Sequence, residues 1–336
     1  MPINQEGKNF YSTEELSGRT NLPKKGIERF LKVDHGFTTF QRDTLSYIAQ
    51  EDLPRFFEDC LAYFGIACSY YGIPQKLQNA THPWAKTLVS MYQQPFAYGT
   101  SFSPAQGQFL RNFVSDVQPQ TIVEIGSFLG ISTLWMASAL QTENKDAVIH
   151  AIDLFYEIMP CVPYRCGYIK DPLEFAQTSA SSAQLAHRIV FHKNNSYELG
   201  KRYAETIGCP IQLLFIDGDH SIRGCMNDFA LFSPYVQAGG YIILHDIYPE
   251  HCGYDGPRYL LDHVINRSSM FKAVEITTSP YNFGMAIIQK IRSRTWYPAA
   301  HWKLEMIRIN ASLQKIPAWN RVANVVKKTI LKKVLT

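Results

Sequence analysis

The sequence predicts an α/β protein with a doubly wound, mostly parallel, Rossmann-like sheet of seven strands, closed by an antiparallel hairpin and preceded by a helical N-terminal region. Between residues 121 and 246, five short, largely apolar segments alternate with segments of helical periodicity. Strands that are apolar nearly throughout are typical of parallel sheets covered by helices on both faces. Two further segments, 272–278 and 283–289, are joined by Ser-Pro-Tyr-Asn, which is typical of a hairpin.

The elements follow one another in a regular order. The segment 103–106 combines an N-cap serine, a proline at the first helical position and a glutamine three residues after the cap, which predicts a helix to about Val117. The segments that follow are predicted as strand 121–126, helix 131–140, strands 147–153 and 188–193, helix 196–207, strand 211–217, a helix over about 222–230, and strand 240–246.

Charge divides the chain into a mildly acidic body and a basic tail. The net charge of the 336 residues is +4, but the segment from Lys290 to Thr336 holds 11 Lys and Arg against one acid. We expect a helical N-terminal region that caps the substrate (1–98), a central α/β domain (99–290) and a basic amphipathic tail (291–336). The tail could dock on an anionic membrane surface or a protein, or pack on the body or on a neighbouring subunit of a homo-oligomer. No nucleic-acid-binding motif accompanies it, so we expect no nucleic-acid partner.

Cysteine usage and the N-terminus indicate the compartment. The seven cysteines are odd in number, are scattered, and form no CxxC pair, so we interpret them as reduced thiols. The first 25 residues are polar and lack the apolar core of a signal peptide. We therefore expect a cytoplasmic protein.

Glycines and polar residues stand where the predicted strands end, which is the edge at which open parallel sheets bind ligands. Gly126 and Gly130 flank the turn after the first strand, where absent side chains let a ligand approach the backbone; the alternative is a tight turn alone. Asp153 ends the second strand, where a carboxylate can bond the hydroxyls of a ribose; the alternative is a cap on the next segment. Acids also end strands 211–217 and 240–246, which is more than folding requires.

Four motifs together resemble class I S-adenosylmethionine-dependent methyltransferases. More narrowly, they resemble the branch of macrolide-sugar O-methyltransferases and cephalosporin-hydroxylase-type proteins, which is distantly related to catechol O-methyltransferase. The motifs are Val123–Ser132, Ala151–Asp153, Phe215–Ser221 and Gly239–Asp246, and the resemblance covers about residues 100–290. It implies methyl transfer from S-adenosylmethionine to a hydroxyl of a small molecule, with a sugar-bearing or polyketide-type natural product as the favoured acceptor.

The resemblance also implies roles for single residues. The implied cofactor-binding residues are Glu124, Gly126, Ser127, Gly130, Asp153, Asn195, Ser196 and Asp217. Glu124, Gly126 and Ser127 would line the methionine and sugar end of the cofactor. Asp153 would bind its ribose. Asn195 and Ser196 would contact its adenine.

Metal and base positions follow from the same resemblance. Asp217 and Asp246 match positions that hold a divalent ion, usually Mg²⁺, and His220 matches the general base, with Asp219 as the alternative base. The chemistry agrees, because the acceptor oxygen must be held close to the methyl carbon and must lose its proton. A cation lowers the pKa of the hydroxyl, and an imidazole can take the proton.

The chain departs from the family at His245. Related sugar methyltransferases tend to have an acid there, and catechol-type enzymes have an asparagine where this chain has Ile247. We expect His245 to join Asp217 and Asp246 as a metal ligand, and imidazole favours manganese, iron or zinc over magnesium. The alternative is that His245 and Asp246 bond each other and the loop 248–257, which with Tyr254 and Arg258 is a candidate wall of the substrate site.

Two other function classes remain open. A nicotinamide-dependent oxidoreductase could use the same sheet, although the GxGxxG fingerprint is missing. A non-catalytic scaffold could bind the cofactor, or a membrane through the tail, although the presence of Asp217, His220 and Asp246 disfavours it.

Overall fold

The computed structural model describes residues 2–5, 7–33, 35–140, 146–162, 166–276 and 283–292. Its strands are β1 (Ile3–Gln5), β2 (Lys8–Ser12), β3 (Thr39–Arg42), β4 (Leu45–Ala49), β5 (Thr121–Ile125), β6 (Val148–Asp153), β7 (Ile189–Lys193), β8 (Ile211–Ile216), β9 (Val236–His245), β10 (Phe271–Ile276) and β11 (Met285–Lys290). Its α-helices are α1 (Thr13–Thr20), α2 (Lys24–Phe30), α3 (Leu53–Tyr63), α4 (Gln75–Gln78), α5 (Pro83–Tyr92), α6 (Pro104–Val117), α7 (Ile131–Ala137), α8 (Pro172–Ser182), α9 (Ser196–Lys201), α10 (Tyr203–Thr206), α11 (Ile222–Phe232), α12 (Pro249–Cys252) and α13 (Gly256–Leu260). No helix of this described part is long and apolar enough to cross a membrane.

The central sheet has seven strands in the order β10-β11-β9-β8-β5-β6-β7. β5 runs parallel to β6 and β8, and β8 runs parallel to β9. β11 is antiparallel to both β9 and β10, so a hairpin ends the sheet. These pairings confirm the predicted fold class. The turn expected over 279–282 and nearly all of the basic tail, from 293 onward, lie outside the described residues.

Three features differ from the sequence predictions. The helix predicted over 196–207 is divided into α9 and α10 at Arg202, just after Gly200, which is a poor helix former. β9 begins at Val236 instead of Gly240. The N-terminal region contains helices and also a four-stranded antiparallel sheet in the order β1-β2-β4-β3. We did not predict this sheet, because its strands have only three to five residues and mixed exposure.

The chain divides into two compact units that interleave along the sequence. Unit 1 is formed from Met1–Gln118, Ser127–Glu143 and Leu154–Lys193, and unit 2 from Pro119–Gly126, Asn144–Asp153 and Asn194–Thr336. These units do not follow the consecutive regions 1–98, 99–290 and 291–336, which stay a prediction.

Unit 1 confirms the predicted start of α6. The Ser103 hydroxyl accepts a hydrogen bond from the Gln106 amide, and the Gln106 side chain accepts one from the Ser103 amide, each at 3.2 Å. Gly107 on this helix lies against the Trp135 indole of α7, where a Cβ would be 2.0 Å from the ring nitrogen. The indole N–H in turn donates to the Tyr92 hydroxyl at 2.9 Å.

Unit 2 carries the switch point of the sheet. β5 lies between β6 and β8, so strand order reverses there, and the carboxyl ends of the four parallel strands in this unit share one edge. The strand β5 is buried along its whole length, as is nearly all of β8. The shared edge is therefore set by a rigid, buried framework.

Candidate active site

A cluster of two aspartates and two histidines lies at the carboxyl edge of unit 2. Asp217 directly follows β8, His245 is the last residue of β9, and Asp246 comes next. The parallel register pairs Ile216 with Leu244, so these strand ends are level with each other. Asp246 has φ 57°, a left-handed conformation that aspartate tolerates better than most residues and that is often found at functional sites.

His220 reaches the cluster from the loop between β8 and α11. The Ser221 hydroxyl caps α11 by accepting from the Gly224 amide at 3.0 Å, and Asp219 accepts from the Ser221 amide at 2.9 Å. The His220 carbonyl accepts from the Gly256 amide at 3.0 Å. The loop is thus held by its own hydrogen bonds, which leave the His220 imidazole free to face the aspartates.

Each imidazole contacts both carboxylates. Nε2 of His220 lies 3.2 Å from Asp217 Oδ1 and 3.0 Å from Asp246 Oδ2. Nδ1 of His245 lies 3.0 Å from Asp217 Oδ1 and 2.8 Å from Asp246 Oδ1. The structure therefore brings these four residues together at one edge, while their roles stay a prediction.

The close charges shift the protonation of the cluster. Burial alone would lower the pKa of His220, but the Asp217 and Asp246 carboxylates outweigh burial and raise it to about 10. Burial and the same two carboxylates act on His245, whose pKa is also raised to about 10. Burial would raise the pKa of Asp246, but the two histidines hold it well below its usual range. In this arrangement both imidazoles are in the positively charged, doubly protonated form at neutral pH. His220 can act as a base only after the negative charge around it is reduced and it loses one proton.

The donor set fits a divalent ion. Asp217, His220 and Asp246 each offer a ligand atom, and these atoms lie within 4.8 Å of one another. Asp246 Oδ1 is buried, and no residue in the described ranges gives it a hydrogen bond of good geometry. Its 2.8 Å contact with His245 Nδ1 is an ion pair without hydrogen-bond geometry, so this oxygen can still accept a cation or solvent. The structure thus groups His220 with the aspartates, while a ligand role for His245 stays a prediction.

Gly126 is explained by packing of the strand ends in unit 2. Gly126 has φ 89°, and a Cβ there would lie 2.1 Å from the Asp217 carbonyl oxygen. The Gly126 amide donates to the Ile152 carbonyl at 2.9 Å. Glu124 is fully buried within β5. The glycine therefore lets the turn lie directly against the backbone of the candidate metal ligand.

The residues predicted at the ribose and adenine lie at the ends of β6 and β7. Asp153 closes β6, and its carbonyl accepts from the Asn194 amide at 3.0 Å. The Asn195 side chain caps α9 by accepting from the Tyr197 amide at 2.8 Å. The Ser196 hydroxyl donates to Asp228 Oδ1 at 2.7 Å. The Asn195 and Ser196 side chains thus also stabilise the start of α9 and its contact with α11.

Ser127 and Gly130 lie within unit 1. The Ser127 hydroxyl is 2.8 Å from the Thr133 hydroxyl, and the Gly130 amide donates to the Ser127 carbonyl at 2.8 Å. Gly130 has φ 85° and precedes the first residue of α7, which explains a glycine without any ligand. Their contact with a cofactor stays a prediction.

Sequence reasoning missed Asp228. This aspartate of α11 is 2% exposed, its Oδ1 accepts from Ser196, and its Oδ2 has no hydrogen-bond partner in the described part of the chain. A Cβ on Gly218 would lie 3.4 Å from that oxygen. Burial raises the pKa of Asp228 to about 7. No sequence signal identifies it, because an acid in an amphipathic helix is normally exposed.

The loop after β9 forms one wall beside His220. The Tyr254 ring lies 5.5 Å from the His220 ring, centroid to centroid, at an interplanar angle of 30°. Arg258 pairs instead with Asp262 at 3.0 Å and with Glu275 at 2.9 Å. Of the two predicted wall residues, Tyr254 is therefore beside the cluster, and Arg258 is engaged in holding α13 to β10.

Comparison with known proteins points to one family. A family model described as a methyltransferase domain matches residues 123–247. An uncharacterised protein of Acanthamoeba polyphaga mimivirus is 34% identical over 135 residues, which are 38% of this chain and 51% of that protein. A catechol O-methyltransferase of Niastella koreensis is 28% identical over 119 residues, 35% of this chain and 46% of that protein. The chain spans about half the length of these curated relatives.

One similar solved structure is an O-methyltransferase of Streptomyces achromogenes involved in tomaymycin synthesis, in complex with S-adenosylmethionine. It is 17% identical to this chain, with a TM-score of 0.48, and the match covers 72% of this chain and 99% of that protein. The matched residues 123–247 include the four motifs of the sequence resemblance and all four residues of the cluster. Residues 123–247 of the chain are therefore similar to a methyltransferase domain.

Proposed function

We propose that this chain transfers a methyl group from S-adenosylmethionine to a hydroxyl of a small molecule. The observation that carries the proposal is the cluster of Asp217, His220, His245 and Asp246 at the ligand-binding edge of a methyltransferase domain. In this reaction the acceptor oxygen bonds to the methyl carbon, the bond between carbon and sulfur breaks with its electrons going to sulfur, and the hydroxyl proton passes to a base. The match to a methyltransferase domain favours this reaction over hydride transfer.

His220 is the proposed base, and Asp219 is the alternative. Nε2 of His220 cannot bind an ion and accept a proton at once, so we assign the ion to Asp217 and Asp246, with His245 beside them. A divalent ion there, Mg²⁺ or another, supplies positive charge next to the acceptor oxygen. An ion bound to the Asp217 and Asp246 carboxylates would offset the negative charge that raises the pKa of His220. Asp219 is exposed, but its Oδ1 already accepts from the Ser221 amide.

The cofactor supplies an electrophilic methyl group when bound. We propose that Asp153 holds its ribose, that Asn195 and Ser196 contact its adenine, and that the turn after β5 receives its methionine end. The surroundings of Asp153 support this, because β6 ends beside the strand-order reversal where such sheets bind ligands.

The acceptor, the metal and the cellular setting are finer proposals. The relative named a catechol O-methyltransferase supports a hydroxyl acceptor, and a sugar-bearing or polyketide-type natural product is our favoured class. A cytoplasmic location is supported by the seven cysteines, none of which is in a disulfide. Homo-oligomer formation, or docking of the basic tail on a membrane surface or protein, rests on the sequence alone.

The test is incubation of the full chain with methyl-labelled S-adenosylmethionine and a panel of hydroxylated sugars, polyketides and aromatic diols, with and without EDTA. Transfer of label to an acceptor is the expected result. Calorimetry that shows no binding of S-adenosylmethionine would overturn the proposed function.

A further inference from the structure

Tyr254 is an exposed aromatic ring directly beside the proposed base. Its side chain is 55% exposed, although its ring lies only 5.5 Å from that of His220. One face of the ring lies beside His220, and more than half of the residue is open to solvent. It offers a flat surface to a molecule that approaches His220.

The backbone holds this ring in place. The Cys252 thiol lies 3.5 Å from both the Tyr254 and the Asp246 carbonyl oxygens. The Gly256 amide donates to the His220 carbonyl, and a Cβ on Gly256 would lie 2.3 Å from that oxygen. Because the loop rests on the backbone at His220, the Tyr254 ring has a fixed relation to the cluster.

The chain around this ring is acidic. Residues 215–222 and 245–257 contain no Lys or Arg; the two histidines of the cluster offset the charge of Asp217 and Asp246, which leaves three exposed acids, Asp219, Glu250 and Asp255. Arg223 is exposed one residue farther on, and Arg258 is neutralised by Asp262 and Glu275. The local charge therefore repels anions and accepts neutral or cationic molecules.

We propose that Tyr254 stacks on the ring that bears the accepting hydroxyl, and that the acidic loops around it select neutral or cationic acceptors against anionic ones. This inference rests on the proposed methyl transfer. It makes Tyr254 a specificity residue: the ring face positions the acceptor, and the charge of the loops decides which acceptors enter.

Three aromatic diols that differ in charge provide the probes: catechol is neutral, dopamine is cationic and 3,4-dihydroxybenzoate is anionic. Calorimetry on the full chain should show that catechol and dopamine bind and that the benzoate binds at least about tenfold more weakly at low salt, with the difference shrinking as salt rises. Tyr254→Ala should weaken catechol binding by about three- to tenfold, the range of an aromatic pair, while Tyr254→Phe keeps it. The control Val274→Ala truncates an equally exposed apolar residue of β10 and should change nothing.

A double variant tests whether the acidic loops select against anionic acceptors. Glu250→Gln with Asp255→Asn should narrow the gap between catechol and the benzoate without weakening catechol. Equal binding of the three diols, no binding of any of them, or an unchanged affinity in Tyr254→Ala would overturn the inference. S-adenosylmethionine binding, measured on the same samples, reports on the proposed function separately, since it should persist in Tyr254→Ala.

Discussion

Two groups of buried carboxylates in this molecule look alike in burial and differ in how they are satisfied. In unit 1, Glu157 is 14% exposed, and in unit 2, Asp217 and Asp246 are 19% and 12% exposed. Glu157 Oε1 accepts from Tyr168 at 2.7 Å and from Gln50 at 2.9 Å. Its Oε2 accepts from Tyr11 at 2.5 Å and lies 3.4 Å from Arg19.

The comparison separates a structural carboxylate from the pair that we propose to be reactive. Both oxygens of Glu157 are filled by four donors from the chain, none of which easily loses a proton. Burial, followed by the hydrogen bonds to Glu157, raises the pKa of both Tyr11 and Tyr168. The Asp217 and Asp246 pair instead shares two titratable imidazoles, and Asp246 Oδ1 meets His245 Nδ1 at 2.8 Å without hydrogen-bond geometry. The first arrangement holds a loop, and the second can exchange protons or ions.

The largest expected effect is therefore on catalysis by the second group. Asp217→Ala should lower kcat by roughly 10³-fold, because several kcal/mol of charge stabilisation at the acceptor oxygen would be lost. Single-turnover methyl transfer measures it, and EDTA should reduce wild-type turnover to a similar degree. Unimpaired turnover in both experiments would remove the metal from the mechanism.

Replacement of the base should cost less. His220→Ala should reduce kcat by about 10²-fold, the usual contribution of proton transfer to a positioned side chain. Asp219→Asn serves as the matched control on the same loop and should leave most of the rate. If His220→Ala loses less than about threefold, the base is Asp219 or solvent.

The first group should respond in stability instead of chemistry. Glu157→Ala leaves two tyrosine hydroxyls and the Gln50 amide without their acceptor, which should lower the free energy of unfolding by about 2–3 kcal/mol. Denaturant unfolding measures this loss, and kcat per folded molecule should be retained. Glu51→Ala, which removes an exposed partner of Lys8, is the control and should barely move the unfolding midpoint. A fall in kcat without a fall in stability in Glu157→Ala would erase the distinction drawn between the two groups.

The sequence predicted the reactive group better than the structural one. Three of the four cluster residues stand at strand ends, and His220 follows in the loop after β8. The strands themselves are predictable because a buried parallel sheet imposes nearly continuous apolar segments. Strand ends that share an edge then bring Asp217 and Asp246 together without further information.

Glu157 and its partners could not be found this way. Tyr11 and Gln50 are more than 100 residues from Glu157 in sequence, and β2 is too short to show a period of two. Contacts of this kind depend on how an irregular segment lies on the strands of unit 1, and no local pattern encodes that. The same reason hid Asp228, whose burial follows from packing of α11 and α9.

Asp228 combines features of both groups. Ser196 satisfies one of its oxygens, as donors do in Glu157, and the other oxygen has no donor among the described residues. Its pKa of about 7 in the folded chain exceeds the ordinary value of 3.8. Between pH 4 and 7 the folded state then binds more protons than the unfolded state, so Asp228 makes the protein less stable as pH rises across that window and adds a constant penalty above it.

Asp228→Asn removes this titration while keeping an oxygen for Ser196. The difference in unfolding free energy, variant minus wild type, should increase from pH 4 to 7 and then level off, with a gain of about 1 kcal/mol at pH 8. The gain is smaller than the pKa shift alone suggests, because the new amide NH₂ group would be buried beside Gly218. Burying that group costs part of the free energy gained by removing the charge. Urea titrations of both proteins at matched pH measure the difference. A difference that stays flat with pH would mean that the free oxygen of Asp228 is already satisfied, which would place this carboxylate with Glu157 and not with the reactive pair.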